Sequence, residues 1–365
     1  MISRARKERL IAAMKDADLD LLLLYGNAWQ NDYLRYAADF GILEGEGLAL
    51  VTRDGPATLY LDDPLEAERA GVECHDANIV YADDMIGEAL KAIGEMKHRR
   101  LAAGPSRQLP YGIARRRREL QFADATSLMD HLLMVKAEAE LEAARRAAKL
   151  ADEGYGVFRS AAKVGRADYE LVADVEAFFR SRGVQDNFML IGVGGPEVRG
   201  MAPPSGRMLK PGDLVTTELT PCVDGYYAQI CRTLVVGEPS DDQRAAHAVY
   251  REAMEAGVSV VKPGVTAADI ARAENEVFRR HGLGDYVTSE YTRVRGHGVG
   301  LFPDTKPHIL ESVETVIEEG MILIVHPNTY HPEVGYMVLG DLVIVRTDGH
   351  EVLTRTPREI FGAVT

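Results

Sequence analysis

Residues 210–237 read KPGDLVTTELTPCVDGYYAQICRTLVVG and contain two apolar, β-rich runs, 214–219 and 226–236. Turn residues precede each run, so the pattern predicts a hairpin-like pair of buried strands. Three polar side chains interrupt the apolar pattern, namely Glu218, Gln229 and Arg232. Because a charge in a buried strand is costly unless it is paired or used, each of these residues belongs either to a structural pair or to a functional site.

This stretch resembles the strand pair of the pita-bread family, which includes methionine aminopeptidases, aminopeptidase P, prolidase and creatinase. The matching residues are Gly212–Val215, Gly225–Tyr226, Arg232–Thr233 and Val236–Gly237. In the family, two metal-binding aspartates occupy the positions that hold Glu218 and Gln229 in this chain. This chain therefore keeps the family's spacing between the two positions but has neither aspartate.

A second family motif, GHGxGL, matches residues 296–301 and keeps the histidine that binds metal in the peptidases, here His297. Two histidines that contact substrate in the peptidases are not kept. The resemblance aligns Asp304 with one of them and Met201 with the other. The pocket is therefore expected to differ from that of the peptidases, with Met201 adding apolar surface.

The last two motifs lose their metal ligands. Residues 319–327 match the strand GMxxxxEP, but His326 stands in place of the glutamate ligand. Residues 337–345 match the final motif, with Gly340 in place of its bridging glutamate. Because a dinuclear hydrolase needs several carboxylates to hold two divalent ions, the resemblance implies a member without that centre, as creatinase is. We therefore predict no bound metal and no cofactor.

The resemblance brings the retained and the substituted positions together in a catalytic site. His297, His326 and Glu218 are expected to project into the former metal cavity, with Asp304 at its rim. A histidine titrates near neutral pH and a carboxylate can fix its tautomer, so Glu218 with either histidine is predicted to form a general-base pair. For each residue taken alone, the alternative to a catalytic role is a structural one, as a polar core residue whose hydrogen bonds are all made.

Five further residues are predicted to contact the substrate: Arg295, Gln229, Met201, Tyr291 and Trp29. Arg295 lies two residues before His297, so a regular strand would bring both side chains to one face, where the arginine could bind a carboxylate or a phenolate. Trp29, the single tryptophan, follows a predicted strand and would close over a pocket, either its own or that of a partner subunit. For the aromatic residues, ordinary core packing is the alternative.

Three classes of function are consistent with these residues. The first is a metal-independent acid–base enzyme on a small organic molecule, either a creatinase-like C–N hydrolase or a lyase that cleaves a C–C or C–O bond. The second is a mononuclear metal hydrolase with Glu218, His297 and His326 as ligands. The third is a non-catalytic peptidase homologue. We rank them in this order, since a shared architecture does not fix the reaction.

The length of 365 residues predicts two domains. Residues 1–134 alternate helical and strand patterns, which predicts a smaller α/β domain, and the resemblance implies a pita-bread domain over residues 135–365. The predicted fold class is thus α+β. Helices are predicted over residues 137–162, 167–183, 240–257 and 266–281, the last with Thr266 as its N-cap.

Composition limits the partners of the protein. A net charge of -14 argues against nucleic acid and anionic membranes, since both would repel the chain. No run approaches the roughly 20 apolar residues of a membrane span, and the start of the chain lacks a signal-peptide pattern, so we expect a cytoplasmic protein. Three cysteines without a CxxC motif suit a reducing compartment. The resemblance implies a homodimer that acts on a small molecule, and light scattering would test the dimer.

Overall fold

The computed structural model describes residues 2–96 and 100–363. The chain divides into two compact units, one ending at Leu133 and the other starting at Met134. The elements of the first unit are α1 (Ile2–Asp16), β1 (Leu21–Asn27), α2 (Asp32–Ala38), β2 (Glu46–Thr52), β3 (Ala57–Leu61), α3 (Pro64–Glu73), β4 (Ala77–Tyr81), α4 (Met85–Glu95), β5 (Leu101–Gly104), α5 (Tyr111–Leu120), β6 (Ala123–Asp124) and α6 (Thr126–Met134), which ends at the boundary.

The first unit is built on one mixed sheet with the strand order β4-β3-β2-β1-β5-β6. β1 begins with four leucines, all of them buried. Leu21 and Leu23 pack in one cluster with Ala89 and Ile93 of α4. Because side chains alternate along a strand, the other two leucines face the opposite side of the sheet. β1 is therefore a central strand that is covered on both faces.

The second unit contains two helix pairs and three sheets. Its elements are α7 (Glu138–Ala161), α8 (Asp168–Arg180), β7 (Asp186–Gly194), β8 (Leu214–Val223), β9 (Tyr226–Tyr227), β10 (Ile230–Val236), α9 (Asp241–Val260), α10 (Ala267–Arg280), β11 (Gly296–Gly298), β12 (Thr305–His308), β13 (Ile322–Val325), β14 (Asn328–His331), β15 (Gly335–Val338), β16 (Asp341–Arg346), β17 (Gly349–Val352) and β18 (Phe361–Ala363).

One arrangement occurs twice in this unit. The pair α7 and α8 precedes a sheet of order β18-β10-β8-β7, with β9 paired to β8, and the pair α9 and α10 precedes a sheet of order β12-β11-β13-β16-β17. Neighbouring strands are antiparallel, except that β10 and β18 are parallel. β14 and β15 form a separate antiparallel ribbon.

Local sequence signals set the ends of the helices. The hydroxyl of Thr266 accepts a hydrogen bond from the amide of Asp269, and the Asp269 carboxylate accepts one from the amide of Thr266. This capping box confirms Thr266 as the N-cap of α10. No helix within the described ranges is long and apolar enough to cross a membrane.

A buried ion pair joins the two larger sheets. Arg232 of β10 donates to the carboxylate of Asp341, the first residue of β16, at 2.7 Å, and both side chains are excluded from solvent. The guanidinium also donates to the carbonyl oxygens of Gly340 and Thr356, each at 2.6 Å. Beside the pair, Cys231 and Gly340 form an isolated antiparallel bridge between the sheets. Arg232 therefore belongs to a structural ion pair, which was one of the two roles that the sequence left open for it.

We predict that Asp341→Asn lowers the free energy of unfolding by about 3 to 5 kcal/mol, because it leaves the Arg232 guanidinium buried without a counter-charge. Urea denaturation measures the loss. The matched control is Asp224→Asn, which breaks an exposed pair with Arg146 and should cost at most about 1 kcal/mol. Similar losses in the two variants would contradict the importance assigned to the buried pair.

Candidate active site

Two histidines from neighbouring strands meet in the second unit. His297 lies in β11, and His326 directly follows β13, which pairs with β11. The centroids of the two imidazole rings are 5.2 Å apart, with an interplanar angle of 71°. The amide of His326 donates to the carbonyl of Arg295 at 3.0 Å and so continues the pairing beyond β13. The register of the sheet therefore brings the two imidazoles together.

Glu218 and Gln229 form a hydrogen-bonded pair in the other sheet. Glu218 lies on β8, and Gln229 directly precedes β10, the antiparallel neighbour of β8. Nε2 of Gln229 donates to the Glu218 carboxylate at 3.0 Å, while Oε1 of Gln229 is buried without a hydrogen-bond partner in residues 2–96 and 100–363. Burial raises the pKa of Glu218 to about 7, and the charge of Asp304 acts in the same direction. Glu218 can therefore both hold and release a proton near neutral pH.

Both histidines are neutral near pH 7. Burial lowers the pKa of His297, and burial together with the neighbouring His297 lowers the pKa of His326 to about 3. Nδ1 of His297 lies 2.9 Å from the carbonyl oxygen of Gly298, so Nδ1 carries the proton and Nε2 remains an acceptor. Nδ1 of His326 is buried and has no hydrogen-bond partner among the residues that the structure describes. Each imidazole therefore keeps one ring nitrogen for a bound molecule.

Asp304 is a permanent anion at the rim of this group. Its carboxylate accepts hydrogen bonds from His308 at 3.0 Å and from Arg293 at 2.7 Å, and it lies 4.0 Å from Nδ1 of His297. Burial opposes its ionisation, but the hydrogen bond from His308 and the nearby His297 and Arg293 hold the pKa of Asp304 well below its usual range. With its oxygens engaged in this way, Asp304 contributes charge to the rim.

The predicted general-base pair between Glu218 and a histidine is not formed. The hydrogen bond of Glu218 is to Gln229, and neither imidazole donates to its carboxylate in the described part of the chain. In the register of β8 and β10, Glu218 lies directly opposite Cys231. Gln229 lies two residues before Cys231, so its side chain is on the same face of the sheet as that of Cys231. The amide of Gln229 is therefore nearer to the carboxylate than either ring.

Arg295 is buried beside α10, and its predicted contact with a substrate stays a prediction. Its guanidinium is 1% exposed, donates to the side chain of Asn275 at 2.6 Å and lies 5.0 Å from the ring centroid of Phe278. The next residue, Gly296, has a φ of 152°, and a Cβ on it would meet the carbonyl oxygen of Ile324 at 2.2 Å. The guanidinium also donates to the carbonyl oxygen of Asn328, and its Nη2 has no hydrogen-bond partner among the residues described.

The three remaining predicted contacts lie in different surroundings. Met201 is half-buried and packs against a cluster that includes Cys231 and Tyr336. Tyr291 is half-buried and stacks on the ring of another tyrosine. Trp29 is 88% exposed and belongs to the first unit, where it follows β1. The exposure of Trp29 shows that it is not a core residue of that unit, and its proposed role over a pocket stays a prediction.

Tyr336 is a member of this site that sequence reasoning missed. It lies on β15, and burial together with the charge of Glu218 raises the pKa of its hydroxyl group. No motif marks it, because β15 is short and follows Glu218 by more than a hundred residues of sequence. The short apolar run of residues 335–338 was the available signal, and it indicates a strand without indicating which strands lie next to it.

Comparison with known proteins assigns the family. A model of metallopeptidase family M24 matches residues 142–347, and a model of the creatinase/prolidase N-terminal domain matches residues 6–135. The chain belongs to metallopeptidase family M24. An Xaa-Pro dipeptidase of Pyrococcus horikoshii is 27% identical over 369 residues and is matched over 99% of each chain. A solved Xaa-Pro dipeptidase structure from Bacillus anthracis, 27% identical, gives a TM-score of 0.85 and is matched over 98% of this chain and 99% of that one.

Membership of family M24 confirms part of the sequence analysis and corrects the rest. The α+β fold with a pita-bread domain and a smaller N-terminal domain is confirmed, and so is the hydrolase class. The expected metal-independent reaction, whether creatinase-like C–N hydrolysis or a lyase reaction, is wrong, because the family is one of metallopeptidases and the relatives are Xaa-Pro dipeptidases. The non-catalytic alternative is wrong for the same reason.

The residues of this M24 chain do not fit the dinuclear metal centre of the family. The five ligand positions hold Glu218, Gln229, His297, His326 and Gly340. An amide and a glycine cannot replace carboxylates that bridge two divalent ions. Among the residues described, no group of three or more His, Cys, Asp or Glu side chains is arranged to hold a metal ion. The mononuclear alternative therefore lacks its ligand set as well.

We predict that the stability difference between the wild type and Glu218→Gln depends on pH. The pKa of Glu218 is raised from 4.5 to about 7, so the folded state binds this proton more tightly than the unfolded state does. Its contribution to stability is therefore fully present below pH 4.5 and is lost as the pH rises through 7. Relative to the variant, the wild type should lose up to about 3 kcal/mol over this range, at about 1.4 kcal/mol per pKa unit. Denaturation curves from pH 4 to 8 measure this loss, and Glu153→Gln at an exposed position is the control. The same pH dependence of stability in Glu218→Gln and wild type would contradict the raised pKa of Glu218.

The lack of a side chain at Gly340 is sterically linked to the packing of His326 and Cys231. A Cβ on Gly340 would lie 2.5 Å from the Cβ of His326 and 3.1 Å from the Cβ of Cys231. We therefore predict that Gly340→Ala destabilises the fold by about 1 to 3 kcal/mol through overpacking. Gly156→Ala on α7 is the control, because a Cβ there meets nothing within 4 Å and should be neutral or stabilising by up to about 1 kcal/mol. Equal thermal midpoints for Gly340→Ala and wild type would refute the linkage.

Proposed function

We propose that the chain is a peptidase that hydrolyses the amide bond of a small peptide, with Xaa-Pro dipeptides as the substrate class. The relatives that match nearly the whole chain are Xaa-Pro dipeptidases. The observation that carries the proposal is that the family's ligand positions hold a titratable carboxylate, Glu218, and two neutral imidazoles, His297 and His326, whose ring centroids are 5.2 Å apart. Such a set can exchange protons with a bound amide.

Hydrolysis of an amide forms a bond from the water oxygen to the carbonyl carbon and breaks the C–N bond. The proton that the water loses must be held and then delivered to the leaving nitrogen. Glu218, with a pKa of about 7, can accept this proton as a carboxylate and return it as an acid. Nδ1 of His326 and Nε2 of His297 can hydrogen-bond the substrate, since neither has a partner within the described residues.

The test is release of amino acids from a panel of dipeptides, Ala-Pro, Pro-Ala and Ala-Ala, by purified protein with and without added Mn²⁺. We expect free proline from Ala-Pro above the other two, and a loss of about 100-fold or more in kcat for Glu218→Gln, because it removes the proton carrier. Glu153→Gln, the same exchange on an exposed face of α7, should keep full turnover.

Two results would overturn the proposal. One is the absence of amino-acid release from every dipeptide under both conditions. The other is equal turnover in Glu218→Gln and wild type. A thermal midpoint for each variant separates loss of turnover from loss of folding, because a variant that melts with the wild type but does not turn over has lost chemistry alone.

A further inference from the structure

Tyr336 is a buried tyrosine of the candidate site whose hydroxyl group has no role in the chemistry described above. It lies on β15, which packs against β8, the strand of Glu218, and against β10. Its side chain shares a buried cluster with Cys231 and Ile324. Cys231 lies opposite Glu218 in the first sheet, and Ile324 lies opposite His297 in the second. Because directly opposed residues point to one face of a sheet, this cluster lies on the faces that carry the carboxylate and the imidazole.

Hydrogen bonds fix the strand that carries Tyr336. The hydroxyl of Thr233 on β10 donates to the carbonyl of Val338 at 2.8 Å and accepts from the amide of the same residue at 3.1 Å. The amide of Tyr336 itself donates to the carbonyl of Val198 at 3.0 Å. β15 is therefore held at both ends. A donor that acts on a reacting atom needs such a fixed position, because its benefit comes from being oriented before the reaction.

A neighbouring amide sets the direction of the Tyr336 hydroxyl group. Asn328 and Tyr336 are diagonal neighbours on one face of the β14–β15 ribbon, because each of them shares that face with Tyr330. Oδ1 of Asn328 accepts from the hydroxyl of Thr292 at 2.6 Å, so Nδ2 is the part of this amide that donates. The Asn328 side chain hydrogen-bonds the Tyr336 hydroxyl. The Tyr336 oxygen therefore accepts from Asn328 and can donate its own hydrogen elsewhere.

The hydroxyl hydrogen of Tyr336 remains available in a site where other donors are engaged. Nε2 of Gln229 already donates to Glu218. Nδ1 of His297 already donates to the carbonyl of Gly298. The Tyr336 hydroxyl, in contrast, donates to no group in residues 2–96 and 100–363. Burial and the charge of Glu218 raise the pKa of Tyr336, so its hydroxyl keeps the proton near neutral pH and is a donor, not a base.

We propose that Tyr336 is a catalytic residue whose hydroxyl donates a hydrogen bond to the oxygen of the scissile amide as negative charge develops on it. This inference rests on the proposed function. When the water oxygen bonds to the carbonyl carbon, the π electrons of the C=O bond move to its oxygen, and Glu218 takes the proton of the water. A donor directed at this oxygen stabilises the transition state more than the substrate, because the planar amide lacks the charge.

No proton leaves Tyr336 in this sequence. When the C–N bond breaks, the carbonyl re-forms and Glu218 returns its proton to the leaving nitrogen. The hydrogen bond from Tyr336 therefore strengthens as the water adds and weakens as the products form. Loss of the hydroxyl should accordingly lower kcat with little change in KM.

The test uses two dipeptides that differ only at the scissile carbonyl, Ala-Pro and its thioamide analogue, in which sulfur replaces the oxygen. Tyr336→Phe removes the hydroxyl and keeps the ring. We expect it to lower kcat for Ala-Pro about 100-fold to 1000-fold, as for loss of an oxyanion donor, with KM changed by less than about 3-fold. Because sulfur is a weak acceptor, kcat for the thioamide should fall by less than about 3-fold. A residue that only supports the fold would lower both rates equally.

The matched control is Tyr227→Phe, which removes another hydroxyl from the same buried cluster, one that donates to Asp186 at 2.7 Å. It should leave the ratio of the two rates unchanged. A phosphinate analogue of Ala-Pro, tetrahedral at the position of the scissile carbon, gives a second readout that needs no turnover. By isothermal titration calorimetry, wild type should bind it about 10-fold to 100-fold more tightly than Tyr336→Phe, as expected for loss of a hydrogen bond to a charged group.

The outcomes separate the role of Tyr336 from the peptidase function. Unchanged turnover of Ala-Pro in Tyr336→Phe, or an equal loss on both dipeptides, would overturn the role of Tyr336 and leave the peptidase function in place. A Tyr336-dependent affinity for the phosphinate in a protein that releases no proline would refute the peptidase function and support the donor. Equal phosphinate affinities of wild type and Tyr336→Phe, or no binding by either, would overturn the donor.

Discussion

The buried ion pair between Arg232 and Asp341 is the contact on which the candidate site depends. It joins β10 of one sheet to β16 of the other, beside the bridge between Cys231 and Gly340. Glu218 opposes Cys231 in the register of β8 and β10, and the backbone of His326 approaches Gly340. The carboxylate comes from the first sheet and the imidazoles come from the second. The ion pair therefore holds the two halves of the site at a fixed separation, because a charge pair without water has little freedom to shift.

The sequence predicted correctly those parts of the fold that are determined by residues close together in the chain. Thr266 caps α10 as expected, and α7 covers Glu138–Ala161 within the predicted range 137–162, because capping and helical propensity act over short distances. The meeting of His297 with His326 required more than a local pattern. It followed from family motifs, since spacing along the chain does not reveal which strands are neighbours.

The partners of the buried polar side chains could not be predicted, because they come from distant segments. Arg295 was expected beside His297, and its hydrogen-bond partner Asn275 comes from α10. Tyr336 reaches the site through the β14–β15 ribbon, whose register depends on packing. A one-residue change in register would send this side chain to the opposite face. The chemistry of the site is therefore more sensitive to tertiary structure than the fold is.

The substitutions at the family's ligand positions form a physically coupled set. Two carboxylates that face each other in a buried site without a cation repel, and each raises the pKa of the other. Gln229 at the second position replaces this repulsion with a hydrogen bond to Glu218 at 3.0 Å. Gly340 in turn leaves the space that the backbone of His326 occupies. Restoring one carboxylate alone, as in Gln229→Asp, would raise the pKa of Glu218 further and would not rebuild a ligand set. Glu218 and Gln229 are therefore coupled directly, through a hydrogen bond that depends on the amide at the second position.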